Sequence, residues 1–273
     1  MNKTENNKTV IYKFSSIIEF YTWIKESQDN PVFYAKSSQE KDYSDNPWHG
    51  TKTFEEALEL LHHGWAPAAE KITARLSNDQ NAITRSSQKS FYDMVGGNAS
   101  VPRYIMGVPT SMINTRKVKV PEKIVVINKD ICYSAYWSPE AMLEEGIKAL
   151  QIIRGIEATG ARVKLNIVFG SSINSWSKNG QNILYKICVK QPDQRLNIST
   201  MAYPIAHPSF LRRMFFRALE VTPEATSGFT HGYGSPLSQD YDKSKALICE
   251  AKEYFIPNKI DSVDKFVADL KNN

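Results

Sequence analysis

The sequence predicts an α/β protein: a three-layer domain with a mainly parallel sheet at residues 121–273, preceded by a smaller α/β or mainly helical region at residues 1–120. Three observations within Lys123 to Gly170 carry this expectation. Lys123 to Lys129 is a near-continuous run of Ile and Val, the composition of a strand buried on both faces. Ser138 and Pro139 have the chemistry of an N-cap and a first helical residue. Leu143, Ile147, Leu150 and Ile153 then recur at three- and four-residue intervals until Gly160 stops the helix. Arg162 to Phe169 alternates Val163, Leu165, Ile167 and Phe169, as a second strand does. Strand, crossover helix and strand of this length make a βαβ unit, which lays two parallel strands side by side.

Ahead of that unit, residues 1–9 are polar, and Val10 to Phe14 reads as a short strand. Ser15 or Ser16 caps a helix through Ser27 that carries Ile17, Phe20, Tyr21 and Ile24 on one side. The aromatics of this region read either as a satellite core or as a stacking platform for bases. Asp42 to Gly50 is a turn-rich connection into a capping box, Thr53 with Glu56. The helix that follows buries Phe54, Ala57, Leu58 and Leu61 and ends at Gly64. His62 and His63 lie in its last turn, but adjacent helical residues diverge by about 100° and do not share one ion. A second helix over Ala68 to Asn78 completes a helical hairpin. Gly96 and Gly97 call for a sharp turn within Phe91 to Met106. Neither phosphate-loop spacing, G-x-x-x-x-G-K-[ST] nor G-x-G-x-x-G, is present. Between Pro102 and Pro121, Arg116, Lys117 and Lys119 read as a lysine-protected edge strand or as a contact with phosphates.

Past the βαβ unit, Ser171 to Gly180 is a polar turn, and Asn182 to Gln191 alternates as a strand that pairs antiparallel with its predecessor. Arg195 to Ala202 reads as a further strand. His207 and Pro208 open a helix, PSFLRRMFFRALE, bearing Arg212, Arg213 and Arg217, the last within reach of Glu220. Gly228 to Asp242 is a Gly-, Ser- and Pro-rich loop, Ala246 to Ile256 is equally strand or helix, and Asp261 or Ser262 caps a terminal helix.

With 273 residues and 41% hydrophobic content the chain needs no covalent staples. Cys132, Cys188 and Cys249 form no C-x-x-C, so neither a disulfide framework nor a zinc site is indicated. The net charge of +5 has no polybasic tail. A basic segment with a following apolar run is absent at the N-terminus, as is any stretch of eighteen apolar residues. The expectation is a cytoplasmic protein, in whichever cell makes it, that does not enter a membrane.

The loop after the first strand of the βαβ unit lies at the carboxyl end of the sheet, where open α/β folds place their ligands. It carries Asp130, Cys132 and Ser134 at alternate positions. Here the stretch resembles the von Willebrand factor type A fold, whose first strand runs into Asp-x-Ser-x-Ser before a long helix. The resemblance implies a Mg²⁺ adhesion site made of Asp130 and Ser134, with Asp240, or Thr200, as later ligands by order alone. Cys132 departs from the pattern, since a thiol is a poor Mg²⁺ ligand. Without a metal, Asp130 caps a turn and Cys132 packs as a small hydrophobe.

The segments WHGTKTFEEALELLHHGW, VPRYIMGVPTSM, IIRGIEATGARVKL, HPSFLRRMFFRALE and GYGSP together resemble an uncharacterised family of tailed-bacteriophage proteins. Jointly the two resemblances imply a phage-encoded, non-catalytic interaction or adaptor protein. It would hold a protein partner, such as a hexameric ATPase or a phage structural protein, through Tyr133, Ser134, His231 and Tyr233. The runner-up expectation is nucleic-acid association through Arg212, Arg213, Arg217, Arg116, Lys117 and Lys119. A third is an enzyme built on Asp130, Cys132 and His207.

Overall fold

The computed structural model describes residues 1–6, 9–33, 35–45, 47–77, 88–117, 123–158, 160–173, 181–225, 232–237, 249–250, 252–263 and 266. The chain begins with a hairpin, β1 (Asn2–Asn6) and β2 (Thr9–Phe14), and continues into α1 (Ile17–Glu26), whose N-cap Ser16 accepts from the Glu19 N–H. After a 3₁₀ turn at Ser37–Gln39 come α2 (Phe54–His63) and α3 (Ala66–Ser77). Thr53 caps α2 by accepting from the Glu56 N–H, and Gly64 ends it at φ +86°. Both helices pack on α6, described below.

A small three-stranded sheet follows, from β3 (Gln88–Asp93), β4 (Asn98–Ala99) and β5 (Met112–Lys117), with α4 (Val101–Ile105) between the last two. Gly96 is required at its turn, because a Cβ there would lie 2.4 Å from the Ile113 carbonyl oxygen. β5 lies between β3 and β4, but among the described residues only Met112 and Ile113 have partners on both sides; Asn114 to Lys117, including Arg116 and Lys117 of the basic cluster, pair with β3 on one side.

The βαβ unit is present as β6 (Ile124–Asp130), α5 (Pro139–Ala158) and β7 (Arg162–Ile173), with β6 and β7 parallel. The Ser138 hydroxyl caps α5 at the Ala141 N–H, and Gly160 follows its end at φ +88°. β8 (Gln181–Lys190) pairs antiparallel with β7, as its alternation and short connection predict.

Residues 195–202 are not the strand expected. They enter α6 (Ile198–Ala206), because the Asn197 side chain accepts from the Ser199 and Thr200 N–H groups and nucleates a turn that outweighs the β-branched composition. Next, Phe210–Phe215 is a π-helical turn and Phe216–Val221 is α7. The loop read at 228–242 supplies β9 (Ser235–Pro236), paired with β7, and Glu253–Ile256 forms β10, parallel to β6.

Among the described residues the main sheet has seven strands in the order β1-β2-β8-β7-β6-β10, with β9 beside β7. It is mixed rather than mainly parallel: the β2–β8, β6–β7 and β6–β10 pairs are parallel, while the β1–β2, β7–β8 and β7–β9 pairs are antiparallel. Alternate residues of β7 part to opposite faces, as a pleated strand demands. Val163, Leu165, Ile167 and Phe169 enter the large core, and Val168 joins a small cluster with Leu184 and Phe255. Buried side chains of α1, α2, α3, α5, α6, the π-turn and α7 all belong to the large core. The described helices therefore pack on the face that carries the large core. No helix among the described residues is long and apolar enough to cross a membrane.

α5 and α6 approach each other at a glycine. A Cβ on Gly146 would stand 2.5 Å from the Ala206 Cβ and 3.1 Å from its Cα. Gly146→Val should therefore cost about 1–3 kcal/mol by overpacking, read as a lower urea midpoint at unchanged m-value. An unshifted midpoint would mean that the helices are not in contact there.

Candidate functional site

The carboxyl end of β6 is a dry knot. Lys129 is fully buried, and its Nζ donates to the carbonyls of Asp130 (2.9 Å) and Pro257 (2.6 Å), which joins β6 to the residues just past β10. Burial pushes its ammonium down to about 8. Asp130 Oδ1 accepts from the Cys132 N–H (2.8 Å), and burial pushes this carboxyl up. The Cys132 Sγ accepts from the Gly170 N–H (2.9 Å) and donates to the Gly170 carbonyl (3.4 Å). Burial and the neighbouring Asp130 hold that thiol well above its usual range, which is the opposite of nucleophile activation. Asn258 Nδ2 donates to the Cys132 carbonyl (2.9 Å).

Beyond the knot the loop is gripped from outside. Arg212 donates to the carbonyls of Trp48, Ala135 and Trp137, and its guanidinium lies over the Trp48 ring at 4.2 Å. Trp48 Nε1 donates to the Ala135 carbonyl (3.2 Å). Arg213, also fully buried, donates to Thr51 Oγ1 and to the carbonyls of Ser38, Glu40, Thr51 and Lys52 at 2.7–3.1 Å. Arg217 pairs with Asp29 and lies 3.6 Å from Glu220, the partner that helical spacing predicted. Glu220 in turn accepts from the Ser38 N–H, the Ser38 hydroxyl and the Tyr233 hydroxyl. A buried guanidinium has five N–H donors to satisfy. The residues around 37–53 and 131–138 are folded to supply the acceptors.

The chain matches a family described as a domain of unknown function (DUF7192) across residues 2–270. It belongs to the DUF7192 family. That match contains the whole site, from Ser37 to Asn258. No curated protein and no solved structure matches this chain.

In this DUF7192 chain most of the sequence-predicted site residues do structural work. Tyr133 is buried against Trp137, with no hydrogen-bond partner for its hydroxyl among the described residues and Lys129 over its ring. Ser134 Oγ is turned onto the Tyr136 N–H (3.4 Å). Tyr233 stacks on Phe216 (3.8 Å between centroids) and receives the Ser37 N–H. His231, Asp240 and Lys119 lie outside the described residues; Arg116 and Lys117 are on β5.

The donors do not suit Mg²⁺. Asp130 is buried with one oxygen on a backbone N–H, the Ser134 Oγ accepts from the Tyr136 N–H of its own loop, and Thr200 sits on α6 bonded to the Asn197 carbonyl. No group of three or more His, Cys, Asp or Glu among the described residues could hold a metal ion. Arg212, Arg213 and Arg217 correct the phosphate-binding expectation, because their donors are taken up inside the protein. His207 does not join Cys132: its Nδ1 accepts from the Ser209 N–H (3.1 Å) and its ring abuts Trp65.

What sequence reasoning missed is the loop's outward face. Tyr136 is 98% exposed and Trp48 is 41% exposed, on backbone that Arg212 holds still. An aromatic at the tip of a short strand-end loop was the available signal.

Two outcomes follow from this chemistry. Arg213→Lys should lose about 3 kcal/mol or more, since one ammonium cannot reach the carbonyls that a planar fork satisfies; equal unfolding midpoints for variant and wild type would refute it. Burial lowers His207 from 6.5 to about 4, so the unfolded chain binds the extra proton first. Its contribution is present in full above pH 6.5 and is lost as pH falls toward 4, by up to ~3 kcal/mol. His207→Asn should flatten that part of the stability-versus-pH curve, and an unchanged slope would contradict the assignment.

Proposed function

We propose that this protein is a phage- or prophage-encoded, non-catalytic interaction protein that holds a protein partner on the strand-end platform displaying Tyr136 and Trp48. The observation that carries the reading is the contrast between a fully exposed aromatic and the fixed backbone beneath it. Binding costs include the ordering of loops and side chains, so an aromatic already held on a rigid loop is a low-cost anchor. Interface energies concentrate on such residues.

The order β8-β7-β6-β10, with β8 antiparallel and the other three mutually parallel, supports kinship with the von Willebrand factor type A fold. It also places the 131–138 loop beside the β6/β10 boundary, where strand order reverses and open sheets bind their ligands. A hexameric ATPase or a phage structural protein is the partner class that the resemblance brings. Docking is metal-independent in this reading, because Asp130 is part of the loop's anchorage.

A photo-crosslinking amino acid placed at Tyr136 should capture one defined protein in producing cells, whereas the same probe at Ile18, which is 72% exposed on α1, should not. Tyr136→Ala and Trp48→Ala should each weaken co-purification of that protein at least tenfold, about 1.4 kcal/mol, with a chelator making no difference. Equal capture from both probe positions, or undiminished binding by the two variants, would sink the platform.

A further inference from the structure

The outer edge of β1 is an unused pairing surface. Among the described residues β1 is the first strand of the main sheet, bonded to β2 on one side and to no strand on the other. Asn6 pairs with Thr9 across two residues, and a hairpin of that length closes on a hydrogen-bonded pair. Such pairs alternate along an antiparallel ladder, so Asn2, Thr4 and Asn6 turn their N–H and C=O groups toward β2. Lys3 and Glu5 turn theirs outward, where an added strand would find donors and acceptors in place.

Charge decides what that strand can be. Lys3 and Glu5 share one face of β1, with Nζ 3.7 Å from Oε2 and side chains 36% and 60% exposed. Lys3 Nζ also donates to Glu224, which accepts from the Tyr12 hydroxyl as well, so this strand is tied to the body of the protein. An ammonium has three donors, and the Glu224 bond leaves Lys3 able to hold a further carboxylate. A lysine on an edge strand ordinarily repels an incoming neighbour. Here the order Lys-Thr-Glu cancels that repulsion for a strand that presents Glu-x-Lys in return, which is β1 itself read backwards.

We propose that two copies of this chain pair through β1, antiparallel about a two-fold axis at Thr4, so that their main sheets become one. The outward backbone groups and the charges select the same register. Lys3 lies opposite Glu5 of the second copy and Glu5 opposite its Lys3, and both are hydrogen-bonded pairs. The two Thr4 residues meet at the axis as a non-hydrogen-bonded pair, where side chains come closest and hydroxyls bond one another. Sliding one copy by two residues either way keeps the backbone groups facing, but it brings Lys3 onto Lys3 or Glu5 onto Glu5. Like charges directly opposite destabilise a sheet. Each copy spends its one β1 edge in the contact, so the assembly closes as a symmetric dimer. The contact is short, which makes the dimer a weak one.

The test is sedimentation velocity on the full chain between about 1 μM and about 1 mM, the span of weak protein contacts. Wild type should pass from monomer to dimer as concentration rises, and to nothing larger. K3E sets Glu against Glu and E5K sets Lys against Lys, so each alone should weaken dimerisation about tenfold or more. Their equimolar mixture sets two Glu against two Lys and should form a one-to-one dimer at least as readily as wild type. E5P removes an outward N–H while leaving the bonds to β2 in place, and it should be monomeric. Both positions are exposed, and circular dichroism should show all three variants folded. A wild type that stays monomeric throughout, variants that dimerise as wild type does, or a mixture no better than its components would overturn the proposal. A chain that stays monomeric and instead binds a strand of a different protein along β1 would rule out the second copy as the occupant.

Discussion

The structure depends on burying charged guanidinium groups without burying an equal number of carboxylates beside them. Arg212 and Arg213 project from a π-helical turn whose six residues are all buried. Even with Arg212 pushed down to about 10 by desolvation, it is charged at neutral pH. A buried charge left unpaired costs several kcal/mol, so the chain has to bring it acceptors. It does so with backbone carbonyls at residues 38, 40, 48, 51, 52, 135 and 137. Stretches that would otherwise be loose loops become parts of the interior. The wider turn of a π-helix is uncommon and tends to occur where side chains must be aimed in a way that an α-helix does not allow.

That constraint explains the character of the strand-end loop. Its root is fixed by Lys129, Asp130, Cys132 and Asn258, and its crest by Arg212 and the Trp48 indole. The same residue types that invite a catalytic or metal-binding reading are consumed in holding the backbone. Chemistry is thereby moved outward, from Asp130 and Cys132 to Tyr136 and Trp48. In this arrangement the interior polar network sets the geometry of the loop and leaves the aromatics of Tyr136 and Trp48 on its outer surface.

The small sheet at residues 88–117 obeys a different logic. Its large apolar side chains remain in water while its turns and its α4 contacts are well made, so the exposure is a property of a formed surface.

Signals that act over a few residues were legible in the sequence. Ser16, Thr53 with Glu56, and Ser138 before Pro139 place helix starts because a cap bonds N–H groups two or three residues away. The alternation of β7 and β8 gives their antiparallel pairing because side-chain period and connection length are local properties. Where two local signals competed, at 195–202, composition misled and the Asn197 cap prevailed. Only the tertiary structure decided the sheet order, in which β2 lies beside β8 more than 170 residues away, and the roles of the arginines. Arg213 meets the Thr51 and Ser38 carbonyls across separations of 162 and 175 residues. An Arg that reads as a surface cation by composition becomes an interior strut once the fold surrounds it with carbonyls. Hydrogen-bond satisfaction is a property of the assembled interior, and no window along the chain contains it.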